Sequence, residues 1–263
     1  MRHIRFAAAC LGVAASLGAA AASALAQAPE FGRCVKDAGG IYANAGCTET
    51  KAGSARYEWE PGPGPSAGFT EAQSGPKAFK WKLATNEEGV CTGETATGEY
   101  TGPKTVGDVD IVLTGCVLYA VYESCETVVL RSLGGEIGVY ALGETAARDK
   151  LGLKLAPEVG TQFAEFDCST GRVNPYIWRG GSVIVPLQTN KMLLKESLKY
   201  RESHGPGYRE EQIPASFVGE LPSPMEATGN FFEEDEEKGY APMGWETSPK
   251  LFNEEKLEAN LVL

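Results

Sequence analysis

The chain has 263 residues, with 24 lysines and arginines against 35 acids, two histidines and seven cysteines, for a net charge of −11. An acidic chain without a basic stripe excludes nucleic acid and anionic lipid surfaces as partners, because nothing in it releases counterions from a phosphate backbone. Its 32 glycines and 15 prolines break it into short segments, while a 43% hydrophobic content is enough for a packed core.

Residues 1–26 read as a secretory leader. Arg2 and Arg5 make a basic start, an uncharged Ala/Leu/Val/Gly run follows from Phe6, and Ala24-Leu25-Ala26 is a small-x-small cleavage site before Gln27. A membrane-spanning helix is the competing reading of that run, but its Ala and Gly content and the cleavage motif favour removal. Cys10 lacks the leucine three residues earlier that a lipid-anchor site wants, since Ala7 stands there. The expected mature chain is 27–263, secreted, with no membrane insertion after cleavage. The leader takes two arginines and no acid with it, so the mature chain is more acidic still.

Past the leader the pattern is all-β: short alternating segments divided by turn residues. Strands are predicted at 56–60 and at 77–85, where Phe79, Trp81 and Leu83 share one face and Lys80 and Lys82 the other. Val109, Ile111 and Leu113 alternate in the same way over 109–113. Further strands are expected at 127–133, 136–142, 151–155 with its alternating leucines, 162–168 and 176–185. Segment 191–201 fits both periods: Leu194 and Leu198 are at helical spacing, but Met192, Leu194, Leu198 and Tyr200 also share one strand face, and the reading taken is strand. Residues 202–249 are rich in Pro, Gly and Glu and read as long loops, a cover over the sheet, or mobile chain. Leu257, Leu261 and Leu263 close the series. The expected fold is one β-sandwich or barrel-like domain with disulfides and long C-terminal loops.

Six cysteines remain in the mature chain: Cys34, Cys47, Cys91, Cys116, Cys125 and Cys168. An even number in an exported chain reads as a disulfide framework, whereas a zinc site wants closely clustered ligands and the nearest two here are Cys116 and Cys125. Spacing favours Cys34–Cys47 and Cys116–Cys125 around short excursions, leaving Cys91–Cys168 to close a long loop worth about 4 kcal/mol.

Several stretches in order, Phe31-Gly32-Arg33-Cys34, Gly46-Cys47, Tyr57-Glu58-Trp59, Gly98-Glu99-Tyr100-Thr101-Gly102-Pro103-Lys104, Thr114-Gly115-Cys116 and Phe163-Ala164-Glu165-Phe166-x-Cys168, resemble a group of signal-peptide-bearing, β-rich exported proteins of high-GC Gram-positive soil bacteria. The resemblance implies export and a β-rich domain with paired cysteines. It carries over no activity, cofactor or catalytic residue.

Motifs for chemistry are sparse. His204, the mature chain's histidine, lies in His204-Gly205-Pro206-Gly207, with no GxSxG elbow before it, and prolines interleave Gly62 and Gly64, removing the amide donors a phosphate needs. No catalytic residue, metal site or cofactor is assigned. Glu165 and Asp167 share a strand face, as the acids of some glycoside hydrolases do, but the third position, Thr170, is not acidic; Asp108 and Asp110 form a similar pair. Both read as wet strand faces, and the acidic run 233–237 reads as solvated loop. The positive hint is aromatic. Tyr57 with Trp59 and Tyr176 with Trp178 are same-face pairs beside Pro/Gly loops, candidates for a platform on which sugar rings stack. Three functions remain open: a non-catalytic β domain that binds polysaccharide or cell-envelope components, a structural or adhesion surface protein, and a secreted carboxylate-dependent glycosidase.

Overall fold

The computed structural model describes residues 29–260 apart from 52, 54, 84–86, 119–122, 146–147, 169–174, 202, 205–211, 214–216, 221–224 and 229–239. The leader, Thr170, the acidic run at 233–237, Leu261 and Leu263 lie outside the described residues, as do Gly205 to Gly207.

The architecture is strand throughout the described elements, as the alternation predicts. β3 (Gly68–Leu83), β4 (Glu88–Tyr100), β5 (Thr105–Thr114), β8 (Val128–Ala141), β9 (Lys150–Pro157) and β12 (Val183–Pro186) pair in that order, each antiparallel to the next. On the other edge of β3 lie β18 (Tyr240–Thr247) and β19 (Lys250–Asn260), which continue one another in line. They pair in turn with β14 (Tyr200–Arg201) and β13 (Leu193–Ser197). With the two collinear pairs each taken as one strand, this is an eight-stranded up-and-down meander. It curls until Val185 on β12 and Leu187 just after it share a common interior with Leu198, between β13 and β14.

Short elements decorate this frame. β6 (Val117–Leu118) pairs with β4 and with β7 (Glu123–Ser124). β10 (Gln162–Phe166), β11 (Tyr176–Arg179) and β17 (Met225–Thr228) extend the sheet outward from β18. β1 (Glu30–Lys36) joins β19 to β2 (Tyr57–Pro61), and β15 (Ser203–His204) pairs with β16 (Gln212–Ile213) as a separate ribbon.

The expected inward faces of 77–85, 109–113 and 151–155 are buried: Phe79, Trp81, Leu83, Val109, Ile111, Leu113, Leu151, Leu153 and Leu155 all sit in the core. The two predicted segments 127–133 and 136–142 form one strand, β8, because Gly134 and Gly135 stay in the ladder opposite Ala156 and Leu155 instead of turning. Stretch 202–249 supplies core strands as well as connections, with Met225, Ala227, Ala241, Met243 and Trp245 buried. In 191–201 strand is observed, but the inward face differs from expectation. The pairing slips between Leu193 and Lys195, where β19 carries the extra residues 253–256; Leu194 is turned outward at 48% exposure, and Glu196 and Leu198 are buried.

Three disulfides are formed: Cys34–Cys47, Cys91–Cys116 and Cys125–Cys168. The first is the expected pair; the expected Cys116–Cys125 and Cys91–Cys168 bridges are replaced. Cys116 and Cys125 do face each other across the β6–β7 hairpin, and the Cys125 amide donates to the Cys116 carbonyl at 2.8 Å. Their sulfurs turn elsewhere. Val90 opposite Val117 sets Cys91 beside Cys116, and an isolated antiparallel bridge sets Cys125 beside Cys168. Ladder geometry, rather than loop length, chooses the partners. Three bridges suit an oxidising compartment.

Candidate functional site

The aromatic pairs proposed from sequence separate. Tyr176 and Trp178 are buried at 1% and 0% exposure. Because β11 is flanked by β10 and β17, its rings pack into a cluster: Trp178 lies 5.7 Å from Trp81 and 5.1 Å from Phe166, and Tyr176 stacks on Phe166 at 5.4 Å. The Tyr176 hydroxyl donates to Glu87 at 2.5 Å. These two residues are core, and the exposed platform expected of them does not exist. Tyr57 and Trp59 on β2 are half-buried. The Trp59 ring lies flat on Gly32, where a Cβ would fall 2.1 Å from Cζ2, so one face of the indole is already covered. Glu165 and Asp167 are exposed, and Asp110 on the outer face of β5 accepts the Ser132 amide at 2.9 Å. The acid pairs are wet faces, as expected.

The unusual chemistry lies inside the barrel and was not visible in the sequence. Inward positions alternate along β3 as Phe69 and Glu71, and along β4 as Glu94, Ala96, Gly98 and Tyr100. Register puts Phe69 opposite Gly98, Glu71 opposite Ala96 and Gln73 opposite Glu94, so the two carboxyls are diagonal neighbours on one face. Gly98 is glycine because the Phe69 ring occupies its side-chain space: a Cβ there would meet Cζ at 2.4 Å.

Phe69, Glu71, Glu94, Ala96 and Tyr100 line a partly enclosed cavity of about 50 Å³. Its wall is largely apolar, with Leu153, Leu155, Val185 and Leu187 on one side and Phe31, Phe69 and Trp245 on others. The ionisable side chains among the described residues of the wall are Glu71, Glu94 and Tyr100.

Each acid is perturbed for a stated reason. Burial, and then the neighbouring Glu94 carboxylate, push Glu71 up to about 8. Burial raises Glu94 to about 7 against the opposing Thr247 hydroxyl. Thr247 Oγ1 contacts both the Ala78 carbonyl, at 3.1 Å, and Glu94 Oε2. The hydroxyl donates to the Glu94 carboxylate, which is why it opposes the rise. Glu71 has no protein hydrogen bond among the described residues. It is half-buried by accessible surface and lines the cavity.

A second polar cluster closes the far side. The Tyr100 hydroxyl donates to Asn253 Oδ1 at 2.9 Å, and Asn253 Nδ2 donates to the Leu193 carbonyl at 3.2 Å. Burial and the nearby Glu196 carboxylate raise the Tyr100 phenol. Burial lifts Glu196 itself to about 7, opposed by the Gln188 amide, 2.5 Å away, and by Lys191.

Outside the same wall, β3 is distorted. Ala72 pairs with Lys250 and Phe79 with Thr247, so residues 73–78 of β3 span only Ser248 and Pro249 on the neighbouring strand. The extra chain bulges and opens a polar groove of about 300 Å³ lined by Gln73, Lys77, Lys80, Glu246, Thr247 and Ser248. Thr247 lines both the groove and the inner cavity.

The chain matches no protein-family model, no curated protein and no solved structure. The functional reading therefore rests on the geometry.

Proposed function

We propose that this is an exported, non-catalytic binding protein that holds a small, largely apolar molecule in the lumen of its barrel. Eight strands enclose an interior just wide enough either to be filled by side chains or to accept one small ligand. Here the lower half is filled by the Phe79, Trp81, Trp178 and Trp245 cluster, and the upper half keeps a cavity. The observation that carries the proposal is Glu71, a carboxyl set in an apolar cavity without a protein partner. Burying such a group costs stability, and a cost retained inside a core is characteristic of a site. Secretion follows from the leader and agrees with the three bridges.

The test uses Trp245, which lines the cavity. A panel of small apolar compounds should include members that change tryptophan emission saturably at one equivalent, and Ala96→Leu, which fills the lumen, should abolish the change while preserving the far-ultraviolet circular dichroism. A panel without a single binder, or binding indifferent to Ala96→Leu, overturns the proposal. Polysaccharide binding keeps only half-buried Trp59 and Tyr57 in its support. Loss of retention on an insoluble polysaccharide in Trp59→Ala would revive it.

A further inference from the structure

Resting on the lumen reading, we propose that the ligand is a small organic cation, a primary amine with a short carbon chain, whose ammonium sits between Glu71 and Glu94. The lining decides the sign of charge. Among its described residues there is no lysine, arginine or histidine, while two carboxyls share one face. An anionic ligand would meet both acids in a medium of low dielectric, with nothing to balance them.

A neutral alcohol is acceptable to the wall but answers only one hydrogen bond. An ammonium has three donors and a charge. Placed between diagonal carboxylates it satisfies Glu71, which lacks a protein partner, and removes the repulsion that keeps the two acids from ionising together. Phe31, Phe69, Tyr100 and Trp245 contribute aromatic rings to the same wall, and aromatic surroundings favour a cation over a neutral group of the same shape. Basic side chains are present nearby, but in the outer groove, where Lys80 pairs with Glu88 at 3.0 Å.

Size sets the rest of the ligand. A water needs about 10–15 Å³ on this measure, so the cavity holds about three or four waters or their equivalent: the ammonium and a few methylenes against Leu153, Leu155 and Val185. Proton bookkeeping follows. With Glu71 neutral in the empty lumen, arrival of the ammonium expels its proton to solvent, about one per ligand bound.

The experiment is isothermal titration of the mature protein at pH 7 with n-butylamine, 1-butanol and butyrate, in two buffers of different ionisation enthalpy. Five or so heavy atoms cannot bind tighter than about low micromolar, so titrations extend to millimolar ligand. Butylamine should bind at least about tenfold more tightly than butanol, with about one proton released, and butyrate should not bind. Glu71→Gln should reduce amine affinity to that of the alcohol and suppress proton release, while an unchanged far-ultraviolet circular dichroism spectrum shows that the variant is folded. Glu94→Gln should weaken amine binding in the same direction. Equal binding of butanol and butylamine, or amine binding indifferent to Glu71→Gln, overturns the cation and leaves the lumen reading standing. Failure of all three probes to bind overturns both.

Discussion

Replacing Glu71 by Gln should make the protein more stable, and only at neutral and alkaline pH. The folded carboxyl titrates near 8 instead of 4.5 because burial disfavours its charged form and Glu94 adds to the penalty. A folded state that holds the proton more tightly than the unfolded state has this stability in full below pH 4.5 and loses it as pH rises through 8. At 1.36 kcal/mol per pH interval crossed, the loss is about 5 kcal/mol if Glu94 stays ionised, and about 3 kcal/mol allowing for Glu94 holding its own proton over part of the range. Gln is nearly isosteric with the protonated acid and has no charge to suppress. Thermal unfolding of wild type and Glu71→Gln should therefore coincide near pH 5 and separate by about 6–12 °C near pH 8.5, at about 2–4 °C per kcal/mol for a chain of this size. Glu196, also raised by burial, gives both proteins a common decline with pH that cancels in the difference. Parallel melting curves across this range would refute the reasoning, since they would mean that Glu71 ionises freely in a solvated interior.

Other expectations are independent of the lumen. Non-reducing peptide mapping should join Cys91 to Cys116 and Cys125 to Cys168; in urea, Cys125→Ala with Cys168→Ala should cost about 4 kcal/mol and Cys34→Ala with Cys47→Ala about 3 kcal/mol, because the closed loops span 43 and 13 residues. The reverse ranking would count against the pairing. Trp178→Ala should remove about 3–5 kcal/mol by opening a hole among Phe79, Trp81 and Trp245, whereas Trp59→Ala, at a half-buried edge, should cost under about 2 kcal/mol. Comparable losses in circular dichroism melts would contradict the burial of Trp178. Tyr100→Phe should cost about 1 kcal/mol by stranding Asn253 Oδ1, and a neutral result would show that water replaces the hydroxyl.

Alternation in the chain was enough to place strands wherever one face is uniformly apolar. Phe79, Trp81 and Leu83, or Val109, Ile111 and Leu113, announce an inward face by themselves, because a period of two with bulky hydrophobes has one stable disposition on a half-buried sheet. The same device failed on β4, whose inward set of Glu94, Ala96, Gly98 and Tyr100 carries no apolar alternation: the lumen there needs small residues, an acid and a phenol, not bulk. It failed on β13 because the pairing with β19 slips between Leu193 and Lys195, which no periodicity reports.

All-β character, the inward faces of β3, β5 and β9 and the presence of paired cysteines belong to the sequence itself, since each follows from residue type and local spacing. Which cysteine meets which, whether Trp178 faces solvent or core, and that Glu71 and Glu94 share an apolar lumen belong to the tertiary structure. The physical reason is common to all three. Partners in a sheet are set by register between strands far apart in the chain, so Cys125 finds Cys168 and Glu71 finds Glu94 through ladders that local sequence does not encode. A carboxyl's environment, and hence its proton, is decided by what those ladders bring across from the other side of the barrel.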